Sequence, residues 1–118
     1  MIYLAGSVSL AQLELLVHLE SDEILRQRYI LLPVQIPERA IHILSKADLP
    51  ADWRAETAPP STRHLGDRWV RAGAHLCLRV PSVVVPQESN YLLNPDHPEF
   101  STLTIGPPQE LRFDPRLT

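Results

Sequence analysis

Apolar and polar residues along this chain switch between the two-residue period of a strand and the longer period of a helix, and the switch points mark its elements. Met1 to Ala5 is a short apolar run of strand length. From about Ser9 to Leu19 no Gly or Pro interrupts the pattern, Ser7 or Ser9 offers an N-cap hydroxyl, and Leu10, Leu13, Leu16 and Val17 fall on one helical face. Leu15 and Leu19 lie on the far side, so this helix is apolar around most of its circumference and is expected to be largely buried.

After an acidic turn at 20–23, Arg28 to Ile36 reads as a strand ended by Pro37, with Pro33 marking it as an edge or a bulge. Ala40 to Leu44 is a second candidate strand. Pro50, Pro59 and Pro60 make Ala47 to Pro60 irregular, with a turn of helix around Asp52-Trp53. A second helix is predicted from Ser61 or Thr62 to Ala72, capped by a hydroxyl and closed by Gly73, with Leu65 and Trp69 turned inward. Further strands are predicted at Leu76 to Val80, Val83 to Val85 and Tyr91 to Leu93, and near Leu103 to Ile105 and Leu111 to Phe113. Twelve prolines cut the chain into these short pieces. The pattern is α+β, with a mixed or antiparallel sheet and two main helices.

At 118 residues and 44% hydrophobic composition, the chain suits one domain with a modest core. Its formal net charge of -3 and its scattered basic residues leave no footprint for nucleic acid. Cys77 is the only cysteine, lies between Leu76 and Leu78, and is expected to act as a small core residue in a reducing, cytoplasmic compartment. No apolar stretch approaches the length of a membrane span, so membrane insertion is not expected.

Glu14 is the sharpest chemical signal, because the helix positions around it are nearly all apolar. Such a carboxylate must be paired, protonated or facing a cavity, unless Glu14 and His18 form a narrow polar stripe that meets water. Ser82, after Pro81 and before three valines, either caps backbone amides or serves to hydrogen-bond a ligand or orient Glu14. No nucleophile-elbow signature surrounds it, so it is not read as a hydrolase nucleophile. Glu88, Ser89, Asn90 and Asn94 form a polar cluster after Pro86. Asn94, before Pro95, is expected to bond its own turn, whereas Asn90 at a strand start has an amide to offer a ligand. Tyr3 is either a ring platform for a ligand or a half-buried strand aromatic. Trp53 and Trp69 read as packing residues. The five histidines have no metal-site spacing, and the four isolated glycines form no phosphate loop.

Several strings in order resemble RES-domain proteins: Ile2-Tyr3-Leu4-Ala5, the Glu14 helix, Ala47-Asp48-Leu49-Pro50-Ala51-Asp52-Trp53, Leu65-Gly66-Asp67, Val80-Pro81-Ser82, Asn90 with Leu92-Leu93-Asn94-Pro95, His97-Pro98, and Phe113-Asp114-Pro115-Arg116-Leu117. That family is named for an Arg, a Glu and a Ser. The Glu corresponds to Glu14 and the Ser to Ser82. The Arg belongs to a Gly-Gly-Arg-Trp segment upstream of Met1, so the chain is expected to be an N-terminally truncated RES domain with impaired NAD+ turnover.

The resemblance implies a fold similar to ADP-ribosyltransferase toxins. It also implies the toxin role in a toxin–antitoxin pair, with an Xre-type antitoxin as partner and NAD+ as substrate. The nicotinamide ribosyl bond would be cleaved by water or by phosphate as co-substrate, without a metal. Glu14 and Ser82 are then the expected catalytic residues, and Tyr3 and Asn90 the expected NAD+-binding residues. ADP-ribosyl transfer to a protein is the alternative activity, and an antitoxin-binding module without catalysis is the alternative of another class.

Overall fold

The computed structural model describes residues 1–18, 27–54 and 60–117. Its central sheet has four strands in the order β1 (Ile2–Ala5), β6 (Ser89–Leu93), β5 (Cys77–Pro81) and β4 (Ile41–Ile43). β1 and β5 each run antiparallel to β6, and β4 runs parallel to β5, so the sheet is mixed. Helix α1 (Val8–His18) follows β1, and α2 (Pro60–Ala72) precedes β5. Two small antiparallel ladders lie outside the main sheet, pairing β2 (Tyr29–Leu31) with β8 (Gln109–Leu111) and β3 (Val34–Gln35) with β7 (Thr104–Ile105). The architecture is α+β, consistent with the ADP-ribosyltransferase-like toxin fold implied by the sequence.

Register sorts the side chains onto two faces, because residues directly opposite in a ladder point the same way. Leu4, Tyr91, Cys77, Leu93 and Ile41 share one face, where Ala40, Leu76, Cys77 and Leu93 form a buried cluster ringed by Val34, Ile36, Phe100 and Leu103. Tyr3, Ala5, Asn90 and Leu92 share the other face, over which α1 lies. The β1–α1 connection is tight. Gly6 donates its N–H to the Ser89 carbonyl at 3.0 Å, and a Cβ there would come within 2.9 Å of that same oxygen, so only glycine lets the chain turn so close to β6. Ser7 then caps α1, its hydroxyl accepting from the Leu10 N–H at 3.1 Å and donating to Glu88 at 3.2 Å.

Three expectations are corrected. The predicted strand from Arg28 to Ile36 is two strands, because Pro33 cannot donate to a ladder and its carbonyl instead accepts from Gly106 N at 2.8 Å. Val83 to Val85 is no strand: the Ser82 hydroxyl takes the N–H groups of Val84 and Val85 at 3.1 and 3.0 Å and winds the run into a bend. Nor is α1 largely buried. Leu10 is sequestered, but Leu13 is 41% and Val17 63% exposed, since the sheet covers only one side of the helix. The close of α2 at Gly73 agrees, its φ of 62° being the left-handed conformation that ends a helix, whereas the last strand lies at Gln109–Leu111, two residues before the expected Leu111 to Phe113. α2 starts at Pro60, a residue or two before the expected Ser61 or Thr62, whereas Leu19 and the acidic turn lie outside the described residues.

Cys77 is fully buried, and burial pushes its thiol up to about 11. The folded state therefore favours the protonated thiol over a range in which the unfolded chain has already lost the proton. Stability from this group is complete below about pH 9, the ordinary value, and declines as pH rises towards 11. In chemical denaturation at stepped pH, Cys77→Ala is expected to lose less stability than wild type between pH 9 and 11. Native protein is expected to resist thiol reagents that label it readily once unfolded.

Candidate active site

Glu14 is on the side of α1 that turns towards Asn90 and the end of β5. Two donors converge on one carboxylate oxygen: the Ser82 hydroxyl at 2.6 Å and the Asn90 side-chain amide at 2.8 Å from Oε1. Ser82 is completely buried immediately after β5. Because its oxygen already accepts from Val84 and Val85, its own proton is directed at the carboxylate. The backbone clamps this corner as well, with Ser82 N donating to the Glu88 carbonyl at 2.9 Å and Glu88 N donating to the Val85 carbonyl at 2.9 Å. Both readings of Ser82 therefore hold at once: it caps backbone amides and orients Glu14.

Asn90 spends its Nδ2 on Glu14, which leaves Oδ1 as a buried acceptor without a partner among the described residues. Trp69 Nε1–H is a buried donor that likewise has no partner among the described residues, and nothing in the structure explains it. A buried, unpartnered acceptor is unfavourable unless something with a donor arrives. Beside it lies a cavity of about 390 Å³ whose wall includes Tyr3, Ala11, Glu14, Leu15, Tyr29 and Asn90. Tyr3 is at its mouth and 70% exposed, so it is not the half-buried strand aromatic of the alternative reading. The site therefore offers acceptors at its base and an aromatic ring at its entrance.

The polar cluster after Pro86 divides by function. Asn94, 1% exposed, accepts from Asp96 N at 3.0 Å and donates to the Val70 carbonyl at 3.2 Å, tying α2 to the end of β6. Glu88 holds the start of α1, and Ser89 accepts from Arg79 on the opposite face of the sheet. Only Asn90 reaches the cavity. Tyr29 was not singled out from the sequence, yet it forms part of the cavity wall and packs edge-on against the buried Phe113, with ring centroids 5.4 Å apart. Its only local signal was an aromatic at the start of a strand-like run.

Replacing Ser82 by Ala removes the donor to Glu14 and strands two backbone N–H groups, at a cost on the order of 1–3 kcal/mol for each buried group left unpaired. Glu14→Gln keeps an oxygen that can accept from both Ser82 and Asn90. Denaturant melts are expected to show Ser82→Ala strongly destabilised and Glu14→Gln close to wild type.

Comparison with known proteins sets this geometry in context. The model of the RES domain matches residues 1–114. The chain is 44% identical to Toxin Res of Yersinia enterocolitica over 117 residues, covering 98% of this chain and 76% of that protein. It is 43% identical to Toxin Res of Photorhabdus laumondii, covering 84% of this chain and 63% of that one. It is 34% identical to the Prs ADP-ribosylating toxin of a Sphingobium species, covering 98% and 73%. With the matched region containing α1, the Ser82 corner and Asn90, this chain belongs to the RES domain family.

Proposed function

We propose that this chain is a toxin component that consumes NAD+ by breaking the bond between nicotinamide and ribose. The observation that carries the reading is the Glu14 carboxylate, held by Ser82 and Asn90 at the wall of the cavity beside Tyr3. Nicotinamide in NAD+ is already cationic, so it departs neutral and requires no general acid. Positive charge then develops on the ribose as an oxocarbenium ion. A carboxylate fixed in advance stabilises that charge without reorganising. With Oε1 committed to Ser82 and Asn90, Glu14 Oε2 and Asn90 Oδ1 are two adjacent acceptors, suited to ribose hydroxyls or to the nicotinamide carboxamide. Tyr3 stacks the flat ring at the mouth.

Water or inorganic phosphate completes the hydrolytic or phosphorolytic reaction by attacking the ribosyl carbon. A second reading has the same first step and a protein side chain as acceptor, and the name ADP-ribosylating toxin borne by the Sphingobium relative favours it. Both readings put Glu14 at the same bond. The family membership further supports a cognate antitoxin protein as partner, here taken to be of the Xre type.

The test is NAD+ loss in cells and with purified protein, together with transfer of labelled ADP-ribose onto protein. Glu14→Gln is expected to slow either reaction about 100-fold or more, the loss typical of removing a preorganised electrostatic group. Tyr3→Ala and Asn90→Ala are expected to weaken saturable NAD+ binding followed by NMR. Equal NAD+ consumption by wild type and Glu14→Gln would overturn the proposal.

A further inference from the structure

A second concave site lies on the face of the sheet opposite Glu14. Arg79, in the middle of β5, has Tyr91 and Ile43 beside it in the ladders, whereas Asn90 pairs with Val80 on the other face. Its Nε donates to Ser89 Oγ on β6 at 3.0 Å, which fixes the plane of the guanidinium while engaging, among the described residues, one of its nitrogens. Lys46 approaches from the short helical turn Lys46–Asp48, which is itself capped by the Ser45 hydroxyl accepting from Ala47 N at 3.2 Å. Both cations line a cavity of about 250 Å³ closed by Pro81, Pro86 and Gln87.

Among the described residues some arginines are matched by acids and some are not, Arg54 for one donating to the Val83 carbonyl at 3.3 Å. Arg28, Arg39, Arg112 and Arg116 each face a carboxylate within 4 Å. Arg79 is instead oriented by a neutral hydroxyl, and no Asp or Glu among the described residues lines the cavity. Glu88, the nearest acid in sequence, turns to Ser7. In a chain of net charge -3, two cations gathered in a concavity without a counter-ion among the described residues leave two positive charges to be matched. A guanidinium fork whose Nη groups have no partner among the described residues, beside an ammonium, suits a tetrahedral oxyanion better than a single carboxylate.

The geometry points to a phosphate-binding site at Arg79 and Lys46 that accepts inorganic phosphate or the terminal phosphate of a small ester. It is separate from any phosphate that acts at the reacting ribosyl carbon, because the sheet lies between the two cavities. The site does not depend on the NAD+ reading.

NMR titration of the whole chain with inorganic phosphate, at ionic strength held constant with chloride, tests it. Saturable shifts are expected at the Arg79 Nε–H, Ser89 and Lys46. Arg79→Gln and Lys46→Gln should each raise the Kd about tenfold or more, the effect of losing a charge-assisted hydrogen bond. Glu14→Gln should leave that Kd unchanged. Glycerol phosphate in place of phosphate distinguishes the two sources: tighter binding identifies an ester, equal or weaker binding the free ion, and either supports the site. Lys46 is exposed on a turn, so its variant reports binding even if Arg79→Gln folds poorly. Linear shifts that chloride reproduces, equal binding of acetate, or saturation centred on Glu14 and untouched by Lys46→Gln would overturn the assignment.

Discussion

The contact between the Ser82 hydroxyl and the Glu14 carboxylate is the joint on which the rest of this structure depends. A carboxylate withdrawn from water is tolerable only with donors in place, and a buried hydroxyl only when its proton has an acceptor. Each group solves the other's problem at 2.6 Å. Because Ser82 also takes the amides of Val84 and Val85, the same oxygen shapes the loop leading into β6, and β6 in turn delivers Asn90 to the carboxylate. Helix, strand end, loop and neighbouring strand thus meet at one acid. Few changes there would be local in their effect.

The cavity beside Glu14 is a consequence of sheet topology. β1 is an edge strand, with β6 on one side and the separate β2–β8 and β3–β7 ladders beyond. The cavity forms between that edge and β2, and Tyr3 and Tyr29 both contribute to its wall from the two ladders. Edge strands with exposed apolar side chains are surfaces that proteins ordinarily protect. Here Ile2, Tyr3, Ile30 and Leu32 are all exposed, and Tyr3 and Ile30 also line the cavity, so its wall includes part of that strand edge. No helix among the described residues is long and apolar enough to cross a membrane.

The two faces of the sheet carry opposite chemistry. Towards α1 lie acceptors, Glu14 and Asn90, which recognise hydroxyl or amide donors and disfavour anions. On the reverse lie Arg79 and Lys46, which attract them. Adjacent residues of β6 serve the two sides, Asn90 binding Glu14 and Ser89 binding Arg79. The two-residue period of a strand makes this possible: one short segment anchors an acid on one side of the sheet and a cation on the other.

Most element positions were readable in the sequence, because hydrophobic period, proline breaks and glycine stops are local effects. β1, α1, α2 and the β5–β6 pair fall where the pattern puts them, and the Glu14 anomaly was visible as a lone acid in an apolar helix. Local rules failed where a distant group intervened. The valine run after Ser82 has strong strand propensity, yet a side-chain oxygen outcompeted the ladder for its amides. The apolar helix was expected to be covered all round, but propensity says nothing about how many neighbours a helix will have. Residues 68 and 76 positions away from Glu14 supply its donors, and Tyr29 joins Tyr3 at the cavity through chain folding alone. The sequence by itself determined which segments could be helix or strand and which acid was out of place. Only the tertiary structure decided what that acid touches, because hydrogen-bond partners are set by distance in space and not by spacing along the chain.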